Sequence, residues 1–249
     1  MSLKKINIAI VGATGYVGLD LVLLLSKHSR VRIKYLSAKK NVGKSINFYD
    51  KRITKKLPVI CDFKKINWHQ VDLLFLSLPS GESQKMINTI YKYKHLKFID
   101  LSADFRIQNP KSFKKWYNIN HKANKLIKDS IYAISEFQIK ELSKYRIISN
   151  PGCYPTSIQI PLIPLLKKKL INKKNIIIDS KSGYSGAGRS VHKKYKNKNL
   201  YESLSAYGIG SHRHNPEIDQ MIKRFTKVKS TFDFTPHLSP MFRGILSTI

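Results

Sequence analysis

The first eighteen residues constrain the fold more than any other stretch. Ile6-Asn7-Ile8-Ala9-Ile10-Val11 reads as a buried strand, Gly12-Ala13-Thr14-Gly15-Tyr16-Val17-Gly18 follows without a spacer, and residues 20–26 read as an apolar helix. Strand, glycine turn and helix in that order make the first unit of a dinucleotide-binding fold. Gly12 permits the tight turn, Gly15 lets the backbone approach a pyrophosphate, and Gly18 lets the helix pack closely on the strand. The spacing is G-x-x-G-x-x-G rather than G-x-G-x-x-G, and taken alone it also suits a plain glycine-rich turn.

The alternation continues. Residues 31–36 form the next strand, and the chain then reads Ser37-Ala38-Lys39-Lys40. A site that prefers NAD places a carboxylate there for the ribose 2′-OH. Here two cations and a hydroxyl stand in its place, which predicts a 2′-phosphate and hence NADP. Residues 72–78 are apolar on both faces, as in a buried parallel sheet. Pro79-Ser80-Gly81-Glu82-Ser83 turns that strand into a helix reaching about Tyr93, and residues 97–101 form a further strand. The pattern predicts an α/β fold with a doubly wound parallel sheet. Its ligand crevice lies at the carboxyl ends of the strands, where Gly12, Ser37, Pro79 and Ser102 gather. Residues 103–143 are polar and irregular, contain Arg106, Trp116, Tyr117 and His121, and show no usable periodicity.

Another strand-turn-helix junction follows at Ser149-Asn150-Pro151-Gly152-Cys153-Tyr154-Pro155-Thr156, with an apolar helix expected over residues 157–166. A thiol at a helix N-terminus meets unpaired N–H groups and the positive end of the helix dipole, and both favour the thiolate. Downstream, residues 175–180 read as a strand. Lys181-Ser182-Gly183-Tyr184-Ser185-Gly186-Ala187-Gly188-Arg189 reads as a loop whose backbone N–H groups suit an anion, with Arg189 beside it. His212-Arg213-His214 stands at a loop-to-helix junction that leads into a helix ending near Phe225. Residues 230–234 and 242–249 are strand-like.

Composition narrows the function classes. The only cysteines, Cys61 and Cys153, are too few for a disulfide framework or a zinc site. No run of eighteen apolar residues occurs and no signal peptide is evident, so a cytoplasmic protein is expected. The net charge of +31 raises a nucleic-acid binder as a reading from another class. Against it, the lysines are mostly scattered, the densest runs being Lys167-Lys168-Lys169 and residues 193–198. No zinc-finger, bZIP or RNP1 pattern occurs, and a lysine-rich compositional bias accounts for the charge.

Six blocks in a fixed order carry a resemblance. They are the glycine loop from Gly12 to Gly18, Asp100-Leu101-Ser102-Ala103-Asp104-Phe105-Arg106, Asn150 to Thr156, Ser182 to Arg189, His212-Arg213-His214-Asn215-Pro216-Glu217-Ile218, and Phe234-Thr235-Pro236-His237-Leu238-Ser239-Pro240-Met241-Phe242-Arg243-Gly244-Ile245. Together they resemble the N-acetyl-γ-glutamyl-phosphate reductases of arginine biosynthesis, within the aspartate-semialdehyde dehydrogenase-like group. The resemblance implies that Cys153 is a nucleophile and that His212 or His214 is its acid/base, with His212 slightly preferred. It implies an NADP-binding domain over residues 1–150 and an α+β substrate and dimerisation domain over residues 151–249. The latter domain is expected to be incomplete, because family members continue past the position of Ile249. The implied reaction is NADPH-dependent reduction of an acyl phosphate to an aldehyde through a cysteine thioester. The implied assembly is a homodimer or homotetramer, with no metal, no specific nucleic acid and no membrane partner.

Cofactor contacts are expected from Gly12, Thr14, Gly15, Tyr16, Val17, Gly18, Ser37, Lys39, Lys40, Pro79, Ser182 and Gly183. Substrate contacts are expected from Arg106, Asn150, Ser185, Arg189, Arg213 and Glu217, the last also able to orient a histidine or cap its helix. Two departures stand out: Pro79-Ser80-Gly81 where the family often has Pro-His-Gly, and Tyr132-Ala133-Ile134-Ser135-Glu136 where it usually has Tyr-Gly-Leu-Pro-Glu. Reductases of aspartyl or carrier-linked aminoadipyl phosphate, and an inactive truncated paralogue, are the neighbouring readings.

Overall fold

The structure, a computed structural model, describes residues 4–189, 202–227 and 230–249; the lysine run at 193–198 lies outside them. The chain divides into two compact units. One comprises residues 1–113 and 119–150, the other residues 114–118 and 151–249.

The first unit is built on seven parallel strands: β1 (Ile6–Val11), β2 (Val31–Ser37), β3 (Ile60–Cys61), β4 (Leu73–Leu76), β5 (Lys97–Asp100), β6 (Ser130–Tyr132) and β7 (Ile147–Ser149). Their order across the sheet is β3-β2-β1-β4-β5-β7-β6, and every pairing is parallel. The order reverses between β1 and β4, which is the switch point of a Rossmann-like, doubly wound sheet. Parallel strands covered on both faces need apolar residues on both faces. Accordingly Ile8, Ile10, Leu36 and Ile60 are buried on one side, and Ala9, Val11, Leu74, Leu76 and Phe98 on the other. Helices α1 (Tyr16–Lys27), α2 (Glu82–Ile90), α3 (Pro110–Tyr117) and α4 (Ser135–Leu142) make the crossovers, although the last residues of α3 cluster with the second unit. The stretch over 103–143 is thus more regular than its sequence predicts. Helices α3 and α4 and strand β6 are each eight residues or shorter, too short for a periodicity to emerge.

Two buried polar groups fasten this unit. Asp104 accepts the backbone N–H of Gly81 at 2.6 Å and of Gln84 at 2.9 Å, capping α2 from a distant loop. Arg146 donates to the carbonyls of Tyr91, Tyr93 and Leu96, which follow the other end of α2, and its guanidinium lies 3.9 Å from the Tyr91 ring centre.

The second unit carries a mixed sheet ordered β11-β8-β10-β9, with β8 (Ile176–Gly183), β9 (Ser205–Ala206), β10 (Phe232–Ser239) and β11 (Ile245–Thr248). β8 and β10 are parallel; β9 and β11 are antiparallel to their neighbours. Helix α5 (Cys153–Lys167) and helix α6 (Asn215–Thr226) pack on one face, burying Tyr154, Ile158, Leu162, Leu166, Ile218 and Ile222 against Ile176, Ile178 and Phe234. These α5 positions recur every four residues, the row one helix face presents, while Pro161 and Pro164 fall on its exposed side. The opposite sheet face leaves Ile177 71% and Leu246 65% exposed. The expected loop over 181–189 is corrected in its first third. Lys181, Ser182 and Gly183 continue β8, paired on one side with β10 and on the other with β11. Among the described residues no helix is long and apolar enough to cross a membrane.

Gly18 allows a close approach of α1 to the glycine turn. A Cβ there would lie 2.2 Å from the Gly12 carbonyl oxygen. Gly18→Ala is expected to cost about 2–4 kcal/mol. Urea unfolding followed by Trp68 fluorescence in a Trp116→Phe background measures it, and an unchanged midpoint would show that the loop can open without cost.

Candidate active site

In the first unit, the N–H groups of Gly12 and Ala13 both donate to the Ser37 carbonyl, at 2.9 and 3.1 Å. The glycine loop is thereby held over the carboxyl ends of β1 and β2. Gly12 has φ +84°, and a Cβ on it would meet the Ser77 carbonyl oxygen at 2.1 Å, so only glycine fits. Gly15 is the N-cap of α1 and brings no side-chain cap to the first turn. Backbone at the start of α1 can therefore approach a ligand closely, and the helix end carries positive potential. Thr14, Tyr16 and Val17 lie in the same turn. Lys39 and Lys40 follow β2 on the surface, with Lys39 Nζ 3.5 Å from Glu82. These residues fit a nucleotide pyrophosphate with a charged ribose beyond it. Pro79 precedes an α2 N-terminus that Asp104 already fills, so that helix end offers an anion little.

The block from Asp100 to Arg106 is structural at its centre. The Asp100 carboxyl accepts both the N–H and the hydroxyl of Ser102. Burial, reinforced by the neighbouring Asp104, pushes it up to about 6. Arg106, expected at the substrate, is 9% exposed; its Nε donates to the Asn150 carbonyl at 2.9 Å and its Nη2 to the Leu101 carbonyl at 2.8 Å. It braces the chain where it leaves β7. Asn150 itself is exposed, and its N–H donates to the Asp100 carbonyl.

In the second unit, Cys153 is the first residue of α5 and is exposed. Its N-cap, Gly152, has no side chain to compete for the first-turn N–H groups. The Gly152 N–H donates to Glu217 Oε2 at 3.0 Å, and the Gly152 carbonyl takes both the N–H and the hydroxyl of Thr156. Glu217 is fully buried, and its Oε1 receives the Tyr117 hydroxyl at 3.4 Å. Glu217, expected at the substrate, has no exposed surface here and holds the turn that carries Cys153.

The two histidines have different surroundings. His212 lies edge-on to Tyr154, Tyr207 and Phe234, with ring centres 5.4–5.5 Å away. Burial first, then the charges of His214 and Arg213, lowers it to about 4. Its Nδ1 accepts the His214 N–H at 3.2 Å, so the neutral ring carries its proton on Nε2. His214 Nε2 stands 3.9 Å from Glu217 Oε1, and its ring is 4.8 Å from that of His212. Arg213 lies over the Tyr117 ring at 5.4 Å.

Two phenols here were not foreseen. Tyr207 donates to Tyr154 at 3.0 Å, and Tyr154 to the His237 carbonyl at 3.1 Å. Burial pushes both upward, and a charge on Cys153 does so further. The only sequence hint was an aromatic five residues before His212.

The glycine- and serine-rich stretch departs most from expectation. The N–H groups of Gly183, Tyr184 and Ser185 donate to the carbonyls of Gly244, Met241 and Phe242. They are spent on the protein, and Ser182 Oγ donates to the Gly183 carbonyl. Arg189 is exposed at the end of this stretch. Among the described residues no cluster of His, Cys, Asp or Glu could hold a metal ion.

Comparison with known proteins follows the same division. Residues 7–145 match the family model described as semialdehyde dehydrogenase, NAD binding domain, and residues 153–249 the one described as semialdehyde dehydrogenase, dimerisation domain. The first match, over more than half of the chain, places it in the semialdehyde dehydrogenase class. Aspartate semialdehyde dehydrogenase II of Vibrio cholerae shares the fold, with a TM-score of 0.66 at 16% identity over 98% of this chain and 73% of that one.

Closer relatives define the family. The N-acetyl-γ-glutamyl-phosphate reductase of Rhodospirillum rubrum is 41% identical over 99% of this chain and 71% of its own length. A probable chloroplastic enzyme of that name from Arabidopsis thaliana is 43% identical over 99% of this chain and 61% of its own length. The chain belongs to the N-acetyl-γ-glutamyl-phosphate reductase family, and it spans about three fifths to seven tenths of these relatives.

Two measurements check the site. By NMR, His212 is expected to titrate near pH 4. An unfolded histidine protonates near its ordinary value of about 6.5. The His212 contribution to stability is therefore present above that value and lost as pH falls through 4; a midpoint near the ordinary value would contradict the buried, aromatic setting. Glu217→Ala is expected to cost about 2–3 kcal/mol, with Glu217→Gln, which keeps an acceptor for Gly152, costing less in the same denaturation assay.

Proposed function

We propose that the protein reduces N-acetyl-γ-glutamyl phosphate to N-acetylglutamate semialdehyde and phosphate, with NADPH as hydride donor, in arginine biosynthesis. The observation that carries this is Cys153: an exposed thiol on the first residue of α5, behind a side-chain-free cap held by a buried glutamate. A helix start of this kind stabilises the thiolate and the negative charge that develops on an attacked carbonyl.

The thiolate attacks the acyl carbon, a C–S bond forms, and the C–O bond to phosphate breaks, leaving a thioester. Held by the loop at residues 12–18, a bound NADPH would supply the hydride that reduces the thioester carbon. The resulting hemithioacetal oxyanion takes a proton, and the C–S bond then breaks to release the aldehyde and regenerate the thiol. Of the two histidines, His214 suits the proton transfers. It faces a carboxyl group, whereas His212 is held neutral at physiological pH and so stores no proton. His212 instead fixes the main chain at His214 through its Nδ1. Lys39 and Lys40 suit a 2′-phosphate, which favours NADP over NAD, and Arg189 and Arg213 suit the substrate's carboxylate and phosphate.

The family description of residues 153–249 and the exposed Ile177 and Leu246 on the open sheet face support association of two copies through that face.

Cys153→Ser is expected to abolish acyl-phosphate-dependent NADPH oxidation while NADPH binding, followed by fluorescence titration, is retained. Near-normal turnover by that variant would rule out the thioester. Preference for aspartyl phosphate over N-acetyl-γ-glutamyl phosphate in the same assay would overturn the substrate.

A further inference from the structure

Apart from the glycine loop, the first unit carries a cleft of ≈ 410 Å³, within the range of small-molecule sites. It lies beside β6 and β7 at their amino ends: Ser130 opens β6, and Tyr145 precedes β7 by two residues. The glycine loop lies at the opposite, carboxyl end of the same parallel sheet.

The lining has a definite chemistry. The open lining holds two amides, Gln108 and Asn124, two hydroxyls, Ser130 and Tyr145, and the Lys128 side chain, with Pro110 and Ile127 as its apolar part. No carboxyl group lines the cleft. The Ser130 hydroxyl donates to the Ile127 carbonyl at 2.7 Å, so its proton is spent within the protein. Lys128 makes no ion pair among the described residues. Its neighbour Asp129 is engaged by the Tyr91 hydroxyl at 2.8 Å. Exposed Lys111, Lys125 and Lys144 each adjoin a lining residue in sequence and add positive potential at the rim.

We propose that this cleft binds a small organic anion. A carboxylate or phosphate sits on Lys128, polar groups meet the Gln108 and Asn124 amides, and a short apolar body rests on Pro110 and Ile127. A purely apolar ligand would gain nothing from the Lys128 ammonium or the Asn124 amide, and a cation would be repelled by Lys128. A bare inorganic anion would leave the apolar wall uncovered.

Amide NMR shifts of the protein, titrated separately with glutarate and with glycerol 3-phosphate, test this and separate carboxylate from phosphate. The expected result is saturable shifts at residues 124–130 and 145 with at least one probe, with Kd of about 1 mM. Lys128→Glu is expected to weaken binding by about tenfold or more. Asn124→Ala, which leaves the charge unchanged, is expected to weaken it less. Neither is expected to alter the shifts that NADPH produces in the 12–18 loop. The proposal is overturned if neither probe gives saturable shifts there. It is also overturned if the shifts spread over surface lysines generally and vanish with moderate salt, or if both variants bind as the parent does.

Discussion

The contact from Gly152 to Glu217 is the constraint on which the second unit depends. A carboxyl group with no solvent exposure is costly unless its oxygens find donors. Here one oxygen takes the Gly152 N–H and the other faces the Tyr117 hydroxyl and the His214 ring. The Glu217 main chain is tied as well, since Gln159 of α5 donates to its carbonyl at 2.9 Å. One residue of α6 therefore fixes the start of α5 and the approach of a histidine. Cys153 owes its position to a side chain far along the sequence, not to local sequence alone.

Helix N-termini show how the same physics is used in opposite ways. The starts of α1 and α5 are capped by glycines that contribute no side chain, while the start of α2 is closed by Asp104. All three present unpaired N–H groups and positive potential before capping. Filling the α2 end satisfies that helix internally and ties a loop to it. Leaving the α1 and α5 ends to glycine keeps backbone donors at those two ends free of a side-chain cap. Ser80, which stands where the family often has histidine, falls at the helix end that Asp104 closes.

What could be read in the sequence was what depends on near neighbours. β1, the glycine turn and α1 follow from one unbroken run of residues, and Cys153 at a helix start follows from Pro151 and Gly152. The reading failed where a distant partner decides. Asp104 looks like one acid in a polar stretch until Gly81 is placed beside it. Ser182 and Gly183 have loop composition, yet two flanking strands hold them in a ladder, so tertiary pairing overrides local preference. The N–H groups of Gly183, Tyr184 and Ser185, offered on paper to an anion, go to residues 241–244. Arg106 and Glu217 carry the charge that substrate recognition needs but are consumed in bracing the protein. Composition does not reveal whether a charged side chain faces in or out.

Tyr154 shows how one packing decision separates the roles of its neighbours. Adjacent helix positions point about 100° apart, so Cys153 is exposed while Tyr154 is 2% exposed. The buried ring packs on His212, His214 and Phe234, and its hydroxyl joins Tyr207 to the His237 carbonyl. Desolvation is the largest influence on His212 and drives it neutral. His214, in contact with the same ring, keeps a carboxyl group on its other side. Two histidines that are close in sequence are thereby made unlike, one by its burial among aromatic rings and the other by its carboxyl neighbour. A cysteine followed by a large buried aromatic can thus be placed at the surface while the next position of the same helix turn packs on the histidine pair.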